Sequence, residues 1–104
     1  MARFLVLYRS HTSADEQRAG ATAEQAQAIM DAWAAWGARV GDALIDFGSP
    51  TVPTAADPHP AGAISGYSIM SAEDDEALDA LLADHPHRSA GTLDVLRLID
   101  MPGA

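Results

Sequence analysis

Two histidines, His85 and His87, stand on either side of Pro86 at the end of a predicted helix. Proline lacks a backbone N–H and moves the preceding residue out of the α conformation, so the helix ends here and presents both imidazoles. An imidazole beside a helix C-terminus can titrate near neutral pH, which makes His85 a candidate general acid or base. The alternative is that His85 caps unpaired carbonyls in the last helical turn. We expect the function to lie near these residues.

The same histidines do not form an obvious metal site. In an extended segment, side chains two residues apart point to opposite sides, so His85 and His87 would chelate one ion poorly. The chain has no cysteine and no two histidines spaced as neighbours on a helix face. We therefore expect neither a metal nor a cofactor, and we assign His87 to ligand binding.

Asp46 is the most informative carboxylate, because it interrupts an otherwise apolar predicted strand. A buried carboxylate needs a partner, and a histidine or Arg97 could serve. We predict that Asp46 orients His85 in a catalytic pair. If Asp46 instead lies in water at the frayed end of the strand, no such pair forms.

Three aromatic residues are candidate ligand contacts. Tyr67 lies in a predicted strand and could offer its hydroxyl to a ligand, although packing is the alternative. Trp33 and Trp36 share one stripe of a predicted helix, where they either join the core or stack on a ligand. The chain contains no phosphate-binding glycine loop, nucleophile elbow or dinucleotide fingerprint.

The elements that must position these residues follow from the apolar pattern, which predicts four strands and two helices in the order βαββαβ. The predicted strands are Phe4 to Tyr8, Ala43 to Phe47, Ile64 to Ser71 and Thr92 to Ile99. The helices run from about residue 22 to residue 40, starting at a capping box, and from Ser71 to the Pro86 stop. A long, mobile loop is expected from Gly48 to Gly62. We predict a single ferredoxin-like α+β domain over residues 1–104, with both helices on one face of a four-stranded antiparallel sheet.

The composition indicates the kind of partner. The strand Phe4 to Tyr8 is apolar on both sides, whereas two helices cover only one face of the sheet. The other face should therefore pack against a second copy, as a homodimer. A net charge of -9 disfavours nucleic acid and anionic membrane surfaces. No apolar run is long enough to span a membrane, and the absence of cysteine favours the cytoplasm.

Several segments in order carry a resemblance over nearly the whole chain. They are Phe4 to Arg9, Met30 to Trp33 with Trp36, Gly41 to Asp46 with Gly48 and Pro50, Gly66 to Ile69, His85 to His87, and Met101 to Gly103. The chain resembles the YCII-related family of the dimeric α/β-barrel superfamily. The resemblance implies a ferredoxin-like subunit with a ligand cleft, and a catalytic histidine and aspartate; one branch of the family eliminates chloride from a chlorinated hydroxyquinol.

Two departures separate this chain from that pattern. The family histidine near the start of the first helix has no counterpart between Glu24 and Ala28. Many relatives have Asp-Pro-Tyr where this chain has the segment from His85 to His87. Any catalytic pair in this chain therefore uses residues that differ from those of the family pattern.

The leading functional hypothesis is a cofactor-independent lyase or isomerase that moves a proton on a small oxygenated cyclic or aromatic compound. His85 would be its acid or base and Asp46 its orienting carboxylate. The alternative is a non-catalytic ligand-binding or regulatory module. A desolvated contact between His85 and Asp46 would favour catalysis, whereas titratable groups satisfied at the surface would favour binding.

Overall fold

The computed structural model describes residues 1–11, 20–52, 54 and 62–101. Within these ranges the strands are β1 (Ala2–Ser10), β2 (Leu44–Pro50), β3 (Ile64–Ala72) and β4 (Gly91–Leu98), and the helices are α1 (Ala23–Val40) and α2 (Asp75–Leu82). Short 3-10 turns cover Gly41–Ala43 and Pro86–Ser89. The strands form one antiparallel sheet in the order β2-β3-β1-β4. This arrangement confirms the predicted ferredoxin-like fold.

The core lies between one face of the sheet and both helices. Alternate residues of β1 and β3 are buried, as expected where one side of a strand faces a core. The buried apolar residues are Phe4, Val6, Tyr8, Trp36, Val40, Met70, Ala72, Leu78 and Leu82. Because residues of both helices join this one cluster, the helices cover the same face of the sheet.

Helix α1 begins as its sequence predicts and is buried over only half its length. Thr22 and Gln25 form the reciprocal bonds of a capping box, and Gly41 follows the helix with a φ of 56°. Every residue from 23 to 32 is exposed, including Ile29 at 56% and Met30 at 66%. The apolar stripe therefore continues beyond the part of the helix that packs on the core.

Helix α2 begins later than predicted. Ser71 pairs with Arg3 in the sheet, so its backbone continues β3 and does not start the helix. The N-cap is Asp74, whose carboxylate accepts a 2.8 Å hydrogen bond from the Ala77 N–H.

Strand β2 extends past its predicted end and into the segment predicted as a loop. Gly48 has a φ of 83°, at a place where the pairing with β3 changes register. A side chain there would place its Cβ 1.7 Å from the Tyr67 carbonyl oxygen, so this bulge requires glycine. Within the predicted loop, residues 53 and 55–61 lie outside the described residues.

The second face of the sheet carries apolar side chains that neither described helix covers. Leu5 and Leu7 of β1 pair with Ile69 and Tyr67 of β3, and Leu5 also pairs with Leu96 of β4. The β1 and β3 members are half-buried, whereas Leu96 is 51% exposed. We call this surface the open face. None of the helices in the described ranges has the length and apolar character needed to cross a membrane.

Candidate functional site

An aromatic cluster surrounds His85 and His87 near the end of β1. The His85 ring centroid lies 4.2 Å from that of Trp36, 4.5 Å from that of Trp33 and 4.9 Å from that of Tyr8. The His87 centroid lies 5.3 Å from that of Tyr8 and 6.1 Å from that of Trp33. Both imidazoles thus pack on the same two aromatic residues. The expectation that they point to opposite sides is wrong, because the chain turns into a 3-10 helix at Pro86 and is not extended.

His85 is almost completely buried, with 2% of its surface exposed, and only one of its ring nitrogens is paired. Its Nδ1 accepts a 2.9 Å hydrogen bond from the backbone N–H of His87, whereas its buried Nε2 has no partner among the described residues. A backbone N–H can only donate, so Nδ1 is unprotonated and the proton of the neutral ring lies on Nε2. The ring is therefore an unpaired hydrogen-bond donor.

The protonation state of His85 follows from its burial. Desolvation lowers the pKa of His85 to about 4, with further lowering by His87 and Arg88 and an opposing effect of Asp84. The ring is neutral at pH 7. The expected titration near neutrality is wrong, because desolvation outweighs the attraction of a helix C-terminus for a cation.

Other groups bond to the carbonyls at the end of α2. Trp36 Nε1 donates to the Leu81 oxygen at 3.0 Å, and Arg88 Nε donates to the Leu82 oxygen at 2.8 Å. The His85 backbone N–H also donates to Leu82, at 3.1 Å. The prediction that the His85 side chain caps these carbonyls is therefore wrong. Its Nδ1 is an acceptor and cannot donate to a carbonyl, and its Nε2 has no partner among the described residues.

His87 fastens the turn to β1. Its Nε2 lies 2.7 Å from the carbonyl oxygen of Arg9 and must donate, since a carbonyl can only accept. Burial lowers the pKa of His87, the Arg9 carbonyl opposes this shift, and His11 adds to it. Gly91 makes the close approach possible, because a Cβ there would lie 1.7 Å from the Arg9 oxygen and 2.7 Å from His87 Nε2.

Tyr8 belongs to the cluster and was missed as a site residue. Its hydroxyl donates to Ser68 Oγ at 2.8 Å, and that oxygen donates to the Phe47 carbonyl at 2.7 Å. Burial raises the pKa of Tyr8 despite the bond to Ser68. One feature of the sequence could have identified Tyr8. On the predicted strand face formed by Phe4, Val6 and Tyr8, only Tyr8 carries a polar group.

Two predicted site residues are not joined to the cluster. Asp46 is exposed and accepts a 2.8 Å hydrogen bond from the Gly48 N–H, and no hydrogen bond links it to His85. Tyr67 pairs with Leu7 and lies on the open face, because side chains alternate along a strand and Tyr8 faces the core. Asp46 is therefore not in the position beside His85 that we predicted, and Tyr67 lies on the other face of the sheet from His85.

Arg97, the other predicted partner of Asp46, lies in β4, at the opposite edge of the sheet from β2. It is 3.8 Å from Asp75 in an exposed ion pair. A shallow depression of about 200 Å³ beside this pair is lined by Phe4, Asp75, Leu78, Asp79, Val95 and Arg97. It shares no residue with the histidine cluster.

In the ranges that are described, no group of three or more histidine, cysteine or acidic side chains is arranged to hold a metal ion.

The fold matches that of a known enzyme. A solved structure of 5-chloro-2-hydroxyhydroquinone dehydrochlorinase from Burkholderia phenoliruptrix, in complex with 2,5-dihydroxybenzoquinone, matches with a TM-score of 0.61 and 14% sequence identity. The match covers 96% of each chain. No family model matches this chain, and no curated protein matches it. The chain therefore shares the ferredoxin-like α+β fold of that enzyme.

Proposed function

We propose that this chain is a YCII-related enzyme of lyase or isomerase type that acts on a small, oxygenated cyclic or aromatic compound in the cluster around His85. The observation that carries the proposal is the buried Nε2 of His85, which has no hydrogen-bond partner among the described residues. A buried donor without an acceptor costs about 1–3 kcal/mol, which a ligand oxygen would recover. A buried polar group without a partner needs an explanation, and a role in catalysis is one of those known.

The surroundings of His85 suit a planar ring. Tyr8, Trp33 and Trp36 all lie within 5 Å of the imidazole, measured between ring centroids. Aromatic side chains favour stacked and edge-to-face contacts with another ring. His87 adds a further ring beside Tyr8. A ligand with a flat carbon skeleton and a carbonyl or phenolic oxygen would use both the rings and the free donor.

The outer side of the cluster suggests where such a ligand enters. Trp33 is half-buried, and its ring centroid lies 6.1 Å from that of Phe47, which is 45% exposed. Tyr8, Trp36 and His85 are each at most 2% exposed. Trp33 is therefore the most exposed of the three rings beside His85, and we infer that it moves to admit the ligand and contacts it in the closed site.

The structural neighbour supports the compound class. Its bound molecule, 2,5-dihydroxybenzoquinone, is a planar ring that carries carbonyl and hydroxyl oxygens. We propose in addition that the protein is a cytoplasmic homodimer whose subunits pack through the open face. The apolar side chains there provide the surface that a second copy would bury.

A non-catalytic ligand-binding or regulatory module is the second candidate, and one observation favours it. Asp46, the carboxylate predicted to orient His85, bonds instead to the Gly48 N–H. Among the described residues no carboxylate is hydrogen-bonded to either nitrogen of His85. A binding module needs the donor and the rings but no such pair.

The test measures binding and turnover separately. Binding of 2,5-dihydroxybenzoquinone is followed by calorimetry, and chloride release from 5-chloro-2-hydroxyhydroquinone is followed with a chloride electrode. We expect wild-type protein to bind the quinone, and His85→Phe, which keeps a ring but removes the donor, to lose about 100-fold in turnover, as for other single donors to a developing negative charge.

His11→Phe is the matched control, because His11 is exposed and lies outside the aromatic cluster. It should behave like wild type in both assays. Binding without turnover of this or related ring compounds would favour the regulatory module. Failure of wild-type protein to bind any oxygenated ring compound would overturn the proposal.

A further inference from the structure

The orientation of the His85 ring depends on two hydrogen bonds of His87. The backbone N–H of His87 donates to His85 Nδ1 at 2.9 Å, and the side chain of His87 donates to the Arg9 carbonyl at 2.7 Å. Pro86 has no N–H, so the first backbone donor that follows His85 is that of His87. The second bond fixes the turn against β1 and thereby holds the first bond in place.

This arrangement is the reverse of a carboxylate–histidine pair. A carboxylate accepts a hydrogen bond from Nδ1–H and leaves Nε2 free to take a proton, which produces a general base. A backbone N–H bonded to Nδ1 requires Nδ1 to be unprotonated, so Nε2 holds the proton. The same ring is then a donor and has no free lone pair with which to act as a base.

We propose that His87 is a positioning residue that holds His85 in the Nε2–H form, and that the site takes its ligand through a carbonyl or phenolate oxygen that accepts from this N–H. The ligand contact in this proposal rests on the proposed function, whereas the protonation of His85 on Nε2 does not. His85 is accordingly not the base of any reaction in this site.

The chemistry open to such a donor is stabilisation of charge. A neutral imidazole can polarise a carbonyl or hold a developing oxyanion while it keeps its proton, because complete transfer would leave an unfavourable imidazolate. The site favours this role, since a hydrogen bond is stronger in a desolvated environment than in water. Burial keeps the His85 ring neutral at pH 7, in agreement with the geometry.

The packing around His87 explains why its side chain is needed. His87 is 7% exposed, and Gly91 leaves its Nε2 and the Arg9 carbonyl in direct contact. A side chain that cannot donate would remove this bond between the turn and β1 and so free the turn. Glutamine can place an amide N–H near the position of Nε2, so His87→Gln should retain the bond and His87→Ala should lose it.

The deciding experiment is nitrogen NMR of the histidine rings in uniformly ¹⁵N-labelled protein at pH 7. We expect His85 to show a protonated Nε2 and an unprotonated Nδ1, without averaging between the two forms. His87→Ala should give averaged ring signals and at least a tenfold weaker affinity for 2,5-dihydroxybenzoquinone, and His87→Gln should restore both. His11→Ala, the matched control, should leave the His85 signals unchanged.

Each other outcome counts against the proposal. A protonated Nδ1 or an averaged ring in wild-type protein overturns it, and this measurement decides the matter even if His87→Ala does not fold. An unchanged His85 signal in folded His87→Ala removes His87 from its positioning role. If His85 is fixed in the Nε2–H form but the protein binds no oxygenated ring compound, the proposed ligand contact and, separately, the proposed function are overturned.

Discussion

At the scale of single residues, His85 is controlled by the backbone two positions later and not by a carboxylate. The burial of this ring, a separate feature, gives folding a pH dependence. The pKa of His85 falls from an ordinary value of 6.5 to about 4 in the folded protein. Between these values the unfolded chain binds a proton that the folded chain does not, so the free energy of unfolding rises with pH.

The predicted contribution of His85 is fully present above pH 6.5 and is lost as the pH falls to about 4. Its size is on the order of 3 kcal/mol, from the usual energy of one pKa unit. Urea denaturation at pH 7, 6, 5 and 4 should show this loss in wild-type protein and a clearly smaller one in His85→Phe. Equal losses in the two proteins would show that His85 is not the source.

Gly91 gives a second prediction at this scale. A Cβ at this position would lie 1.7 Å from the Arg9 carbonyl oxygen, so Gly91→Ala must displace backbone. We expect it to lower the free energy of unfolding by about 1–3 kcal/mol, the usual cost of overpacking. Gly20→Ala is the matched control, because nothing lies within 4 Å of a Cβ there, and it should unfold like wild type. Comparable denaturation midpoints for the two variants would contradict the close contact.

At the scale of elements, α1 should be unequally stable along its length. Residues 23–32 are exposed, whereas Trp36 and Val40 are buried in the core. The first half therefore depends on its capping box more than on packing. Thr22→Ala should speed amide exchange in residues 26–32 while it lowers global stability by no more than about 1 kcal/mol.

Hydrogen exchange read by mass spectrometry provides the measurement for this cap, and Thr22→Ser, which keeps the accepting oxygen, should exchange like wild type. Faster exchange throughout α1, including Trp36, would show that the helix responds as one unit. In that case, loss of the cap would act on global unfolding and not on the first half of α1 alone.

The elements also show what the sequence can predict. Their order and type follow from local patterns, such as the apolar run in β1 and the capping box at Thr22, and these were correct. The late start of α2 was not predictable in this way, because Ser71 is held in the sheet by pairing with Arg3, 68 positions earlier in the chain.

The site was less predictable for the same reason. The sequence marks His85 and His87 as an unusual pair, but their surroundings come from distant parts of the chain. The His87 side chain bonds to Arg9 across 78 positions, and Tyr8 bonds to Ser68 across 60. The turn at Pro86 then decides which nitrogen of His85 is free. Such contacts depend on the assembled fold and leave little trace in local spacing.

At the scale of the whole molecule, the open face predicts self-association. Leu5 pairs there with Ile69 and Leu96, and neither described helix covers these side chains or that of Leu7. Light scattering at micromolar concentration should give twice the 10.9 kDa chain mass. Leu96→Glu should yield a folded monomer, because it places a charge in the apolar surface that would be buried.

Met30→Glu is the matched control for this test, since Met30 is 66% exposed on α1, away from the open face. This variant should remain a dimer. A monomeric wild-type protein, or a monomeric Met30→Glu beside a dimeric Leu96→Glu, would exclude assembly through the open face.

The two edges of the sheet differ in their capacity to recruit a further strand. At the β2 edge, the bulge at Gly48 and the proline at position 50 break the row of backbone donors and acceptors. The β4 edge is regular, because all eight of its residues pair with β1 without a register shift. The charged side chains of Asp94 and Arg97 disfavour pairing of this edge with another chain. At high salt, where those charges are screened, fibril growth should start from β4.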